Sequence, residues 1–183
     1  MSILSASSTK NGGEFKKSRM KRIEANDPAA MCQMAGMQYK KGDHDGAFEY
    51  FSKATGLGDI KAHFQLSVMY ENGQGVKKDE KKEVYHCEQA AIGGHPEARY
   101  DLGFVEVESG RIDRAVKHFI IAAKLGHDGS IEALKDLYAD GYVSKEDFAS
   151  ALRAHQAAID ATKSPQREAA AELGGGRRTI GGC

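Results

Sequence analysis

Tryptophan is missing from this 183-residue chain, and proline and cysteine occur three times each. The cysteines, Cys32, Cys87 and Cys183, are odd in number and far apart, which points to reduced thiols and away from a disulfide framework. No run of roughly 18 apolar residues is present, so no membrane-spanning helix is expected. The start, Met1 to Gly13, is small and polar and lacks the hydrophobic run of a secretory signal. The cytoplasm is therefore the expected compartment, with the nucleus as the alternative. Neither charge sign is in excess, since 26 Lys and Arg balance 26 Asp and Glu. That balance removes the global field that would favour nucleic acid or a membrane surface, and leaves only local patches to supply one.

Patterns that carry chemistry are equally scarce. No nucleophile elbow, phosphate loop or paired-carboxylate motif occurs, and Gly73-Gln74-Gly75 does not follow a strand pattern. His63, His86, His95 and His127 show neither C-x-x-C nor H-x-x-x-H spacing with any partner, the convergence a zinc site needs. The expectation is accordingly a chain with no catalytic residues, no cofactor, no metal and no small-molecule substrate.

What the sequence does contain is a repeat. Gly58-Asp59-Ile60-Lys61-Ala62 is echoed by Gly94-His95-Pro96-Glu97-Ala98 at an offset of 36, and by Gly126-His127-Asp128-Gly129-Ser130 at a further 32. Stepping back 32 from Ala62 reaches Ala30 in Asn26-Asp27-Pro28-Ala29-Ala30. Ala54, Ala90, Ala122 and Ala154 keep the same frame. Ala47, Phe51 and Ala54, matched by Ala115, Phe119 and Ala122, recur at i, i+4 and i+7, the period of one helix face. Cys87 falls in register with Phe51 and Phe119 and reads as a small buried hydrophobe. Gly42 and Gly110 split their units into two helices, and the four extra residues of the longer unit fall at Gly73-Gln74-Gly75-Val76.

Start signals fit this frame. Pro28, Pro96 and Pro165 suit a first helical position, and Asp27, Asp79, Ser144 and Ser164 suit N-caps. The expected helices are 28–40, 44–57, 60–72, 79–92, 96–109, 112–125, 129–140 and 145–162. One hairpin buries too little apolar surface to stand alone, so neighbours must stack. The chain divides into a polar, basic and largely flexible lead-in (1–25), an array with units near 26–58, 59–94, 95–126 and 127–162, and a short helix with a glycine-rich flexible tail (163–183).

Leu66-Ser67-Val68-Met69-Tyr70-Glu71-Asn72-Gly73-Gln74-Gly75-Val76-Lys77-Lys78-Asp79, with Tyr85 and Ala90-Ala91 following, resembles the Sel-1-like repeat, a relative of the tetratricopeptide repeat. The units near 28 and 96 lack the G-x-G-V insert, and the last keeps mainly Tyr138, Gly141 and its alanines. The resemblance covers about residues 26–162 and implies an all-α fold, a right-handed α/α superhelix of about four helix-turn-helix repeats acting as adaptor or scaffold. Some relatives serve membrane-anchored ubiquitin-ligase assemblies, and others are exported with a disulfide in each repeat. This chain has no membrane segment, and Cys32 and Cys87 are not repeat-equivalent.

In tetratricopeptide-like solenoids the first helix of each unit lines the concave surface. Carried over by register, that surface includes Phe64, Val68 and Glu71, then Glu97, Tyr100, Asp101, Phe104 and Glu108, then Asp136 and Asp140. Aromatic side chains beside carboxylates suit a basic, partly apolar peptide, the rings giving buried area and the acids orientation. Two alternatives stand beside this reading. One is a client-recruiting subunit of a ubiquitin-ligase or quality-control complex. The other is an anionic-surface or nucleic-acid binder acting through Lys10, Lys16, Lys17, Arg19, Lys21 and Arg22, a segment that also reads as a capping helix or a solvated face.

Overall fold

The computed structural model describes the backbone of residues 6–175 and the side chains of residues 14–162. Among these residues all regular structure is helical: α1 (Ala6–Glu24), α2 (Pro28–Lys40), α3 (His44–Gly56), α4 (Ile60–Asn72), α5 (Glu80–Ile92), α6 (Pro96–Glu108), α7 (Ile112–Lys124), α8 (Gly129–Ala139) and α9 (Lys145–Gly175). The chain forms two compact units, residues 1–98 and 99–183.

In the first unit α2 packs on α3, α3 on α4 and α4 on α5. The core shared by α2, α3 and α4 is Met31, Ala35, Ala47, Phe51, Ala54, Ala62, Leu66 and Met69. In the second unit α7 packs on α8 and α9 around Ala115, Phe119, Ala123, Leu134, Val143 and Ala151. The repeat frame reappears as burial: Ala30, Ala62, Ala98 and Ser130, one per first helix, are all 0% exposed. Ala54, Ala90 and Ala122 do the same on the second helices. A side chain no larger than a methyl or hydroxymethyl at these points allows close helix approach, while Phe51 and Phe119 fill the space between. Cys87, in register with those phenylalanines, is buried with its thiol unbridged.

Helix ends follow from local chemistry. Asp27 accepts from the amides of Ala29 and Ala30, Asp59 from Ala62, Asp79 from Lys82, and Ser144 from Asp147. The turn between units needs a left-handed residue to close the preceding helix, and Asn26, Gly58, Gly94 and Gly126 occupy it with φ of 56°, 85°, 89° and 89°. Asn26 is the one non-glycine with positive φ among the described residues, and asparagine tolerates that region best. The insert after α4 is anchored. Tyr39 donates to Gln74 Oε1 at 2.5 Å, and Gly75 lies so close to the His44 carbonyl that a Cβ there has no room.

Two expectations need correction. The lead-in, expected to be largely flexible, carries α1, which stands one repeat before α3 and packs on α2. Ile23 reaches the first core, and Arg22 Nε pairs with Asp27 Oδ2 at 2.7 Å, joining α1 to the cap of α2. This is the capping-helix form of the segment. At the other end Ser164 and Pro165 do not start a new helix, because α9 runs through them to Gly175. Alanine-rich flanks at 157–161 and 169–171 favour continuation over the local break a proline introduces. The glycine-rich tail beyond Gly175, with Cys183, lies outside the described residues.

Candidate functional site

The first helices carry the candidate positions on turns spaced for one face. In the first unit, Phe64 sits in the second turn of α4, half-buried, with its ring stacked on His95 at 4.4 Å and 21°. Burial depresses the His95 pKa, against the nearby Glu97 carboxylate 3.2 Å away and with the help of Lys61. The imidazole is thus biased towards its neutral form and stacks as an aromatic. Ile60, Lys61, Phe64, Gln65, Gly93, Gly94, His95, Pro96 and Glu97 enclose an open notch of about 600 Å³. Phe64 and Glu97 therefore meet at one site. Val68 is half-buried and Glu71 exposed further along α4, and neither lines the notch.

In the second unit, Tyr100 lies edge-on to Phe104 at 4.9 Å and to Phe119 at 5.7 Å, and its ring is tilted over His127 at 4.3 Å. His127 Nδ1 is 3.0 Å from the Ser130 hydroxyl. Phe104 is anchored on Phe119 at 5.2 Å, yet 43% of it faces solvent, so it presents an aromatic surface already held in place. Asp101, Glu108, Asp136 and Asp140 are exposed. Asp101 and Glu108 are seven residues apart on α6, and Asp136 and Asp140 four apart at the end of α8, so each pair shares a helix face.

Several participants were not expected from sequence. Phe64 against His95 and Tyr100 against His127 are the same contact one repeat apart, and in the first repeat Cys32 faces Asp59 in that position. Burial, with the Asp59 carboxylate, pushes the Cys32 thiol up to about 11, which keeps it protonated and unreactive. The repeated spacing of Asp59, His95 and His127 was the available signal. Glu106 also went unnoticed. It is buried in the second unit, accepting from Arg111 Nε and, at 2.9 Å, from Arg114 Nη2. His63 and His86 bring their Nδ1 atoms within 3.0 Å across α4 and α5.

The profile of the Sel1 repeat matches residues 28–59, 60–95 and 96–127, more than half of the chain. The chain belongs to the Sel1 repeat family. These Sel1 matches cover α2 and α3, α4 and α5, and α6 and α7, and α8 with the start of α9 follows them. A Sel1 repeat protein of Oxalobacter formigenes superposes with a TM-score of 0.65 at 25% identity, over 76% of this chain and 62% of that one. The c5321 protective antigen of uropathogenic Escherichia coli, described as displaying an SLR fold, gives 0.63 at 26% identity, over 79% and 32%. Among curated proteins, chitin synthase regulatory factor 4 of Schizosaccharomyces pombe is 31% identical across 46% of this chain and 14% of its own length. DAP3-binding cell death enhancer 1 of Mus musculus is 26% identical across 70% and 33%. The chain thus spans a third or less of these two curated relatives. Sel1 repeat proteins share a helical solenoid fold, mediate protein binding and are typically non-catalytic. Among the described residues no helix is long and apolar enough to cross a membrane.

Proposed function

We propose that this Sel1 repeat chain is a non-catalytic adaptor whose first helices hold a basic, partly apolar segment of a partner protein. The observation that supports this best is Phe104, an aromatic ring fixed from behind by Tyr100 and Phe119 and open in front, on the same helix as exposed Asp101 and Glu108. A pre-positioned ring loses little side-chain entropy on binding, and surrounding carboxylates raise the association rate of a cationic segment. The notch at Phe64, edged by Glu97, offers a comparable aromatic and acidic setting in the first unit. The family's role in protein binding agrees with this reading, as does a relative named for binding DAP3.

The test is pull-down of a library of basic peptides with the full chain and with Asp101→Lys/Asp136→Lys. Retention by the native chain and loss by the variant, strongest at low salt, is the expected result. Equal retention by both removes the acidic face from the account.

A further inference from the structure

The second repeat holds a pair of imidazoles that the adaptor role leaves unused. His63 stands in the first turn of α4 and His86 in the middle of α5, 23 residues apart in sequence. Their Nδ1 atoms lie 3.0 Å apart, with ring centroids at 5.2 Å and planes inclined by 41°. Other repeats lack the pair. In register with His63 stand Met31 and Arg99, and in register with His86 stand Tyr50 and His118.

We propose that His63 and His86 form a two-nitrogen chelate for a divalent cation of the copper(II) and nickel(II) class. Two nitrogens bound cis at right angles, each about 2.0–2.1 Å from a common cation, are themselves about 2.9 Å apart, close to the separation found. Tetragonal copper(II) and nickel(II) favour that right angle, and copper(II) leads the affinity order for nitrogen ligands. Both rings are half-buried, on helices packed against each other. Tyr70 lies parallel to the His86 ring at 5.6 Å and 9°, and Tyr85 meets it edge-on at 5.1 Å, which restricts its rotation. A metal held this way needs little side-chain ordering.

The groups around the pair set its strength. Without an ion, one imidazole donates its Nδ1 proton to the other. On binding, that ring passes the proton through solvent to its own Nε2, so both Nδ1 lone pairs face the cation and no net proton is released. The Asp59 carboxylate acts on His63 and favours an added cation, while the Lys82 ammonium acts on His86 and opposes it. No group of three or more histidine, cysteine or carboxylate ligands occurs among the described residues, so water completes the coordination. Two nitrogens and water make an exchangeable site, distinct from a closed structural one.

The experiment titrates the full chain with copper(II) at pH 7 by calorimetry, alongside His63→Gln, His86→Gln, His86→Phe and, as a control outside the pair, His127→Gln. Circular dichroism confirms that each variant is folded. We expect one leading site in the native chain and in His127→Gln, with paramagnetic resonance showing two coupled nitrogens. Its dissociation constant should rise at least about tenfold in each variant of the pair, because chelation is lost. Unchanged affinity in both His86 variants, or a signal from a single nitrogen, overturns the site.

Discussion

Phe119 and Cys87 hold the same repeat position with side chains of very different size, and this makes them a quantitative probe of how the array is held together. Phe119 is 1% exposed and touches the rings of Tyr100 and Phe104. Gly103 lies against its edge so closely that a Cβ there has no room, and Ala115 and Ala123 share its cluster. Removing the ring leaves a cavity walled partly by glycine and alanine, which have no longer side chain to swing in. The usual cost of Phe→Ala in a core is about 3–5 kcal/mol, and such walls place this one near the top of that range. Two lost ring contacts add to the same end, at about 0.5–1.5 kcal/mol each when measured in isolation. Cys87→Ala removes one buried sulfur with a weak contact to the Ala98 carbonyl at 3.5 Å, for a loss of about 1 kcal/mol. Urea unfolding followed by far-ultraviolet circular dichroism reads both, and at about 1–3 kcal/mol per molar the first should move the midpoint by a molar or more. Equal losses for the two variants, or a loss below about 1 kcal/mol for Phe119→Ala, would refute the claim that this position is the packing centre of the repeat.

Other outcomes follow from the same coordinates. Glu106→Gln should destabilise the chain by about 2–3 kcal/mol, below the about 3–5 kcal/mol of a fully buried ion pair because Arg111 and Arg114 stay partly solvated, whereas Arg114→Ala should cost under about 1 kcal/mol in the same urea assay. Gly75→Ala should lower the thermal midpoint more than Gly42→Ala, since both have positive φ but only Gly75 abuts the His44 backbone. His86 titrates near 6.5 when unfolded and about 4 when folded, so the unfolded state binds more protons between those values. Stability is therefore full above about pH 6.5 and declines as pH falls towards 4, and His86→Phe should flatten that slope in pH-dependent thermal melts.

The hairpins were legible because small residues recur at fixed spacing where helices must approach: Ala54, Ala90 and Ala122 mark the frame, and each is fully buried. Helix starts were legible where the capping chemistry is local, as at Asp27, Asp79 and Ser144. Contacts that cross from one helix to another were not. Phe64 on His95 joins residues 31 apart, and only the in-frame recurrence of Tyr100 and His127 hints at it. Glu106 stands in register with Tyr70, an interior position, and a carboxylate there demands a cation within reach; Arg114 answers it from the next helix. Pro165 misled because the rule for proline is local, while the run of α9 reflects the propensity of a longer alanine-rich stretch. Sequence alone did not separate Phe104, open to solvent, from Tyr100, turned against Phe119 and His127.

The central claim is that the first helices carry the partner. Amide chemical-shift mapping by nuclear magnetic resonance, with a basic peptide containing an aromatic residue titrated into the full chain, tests it directly. The account predicts that the largest shifts fall on first helices, above all on α6 around Phe104 and Asp101. Shifts confined to α3, α5 and α7, or to α1, would contradict it.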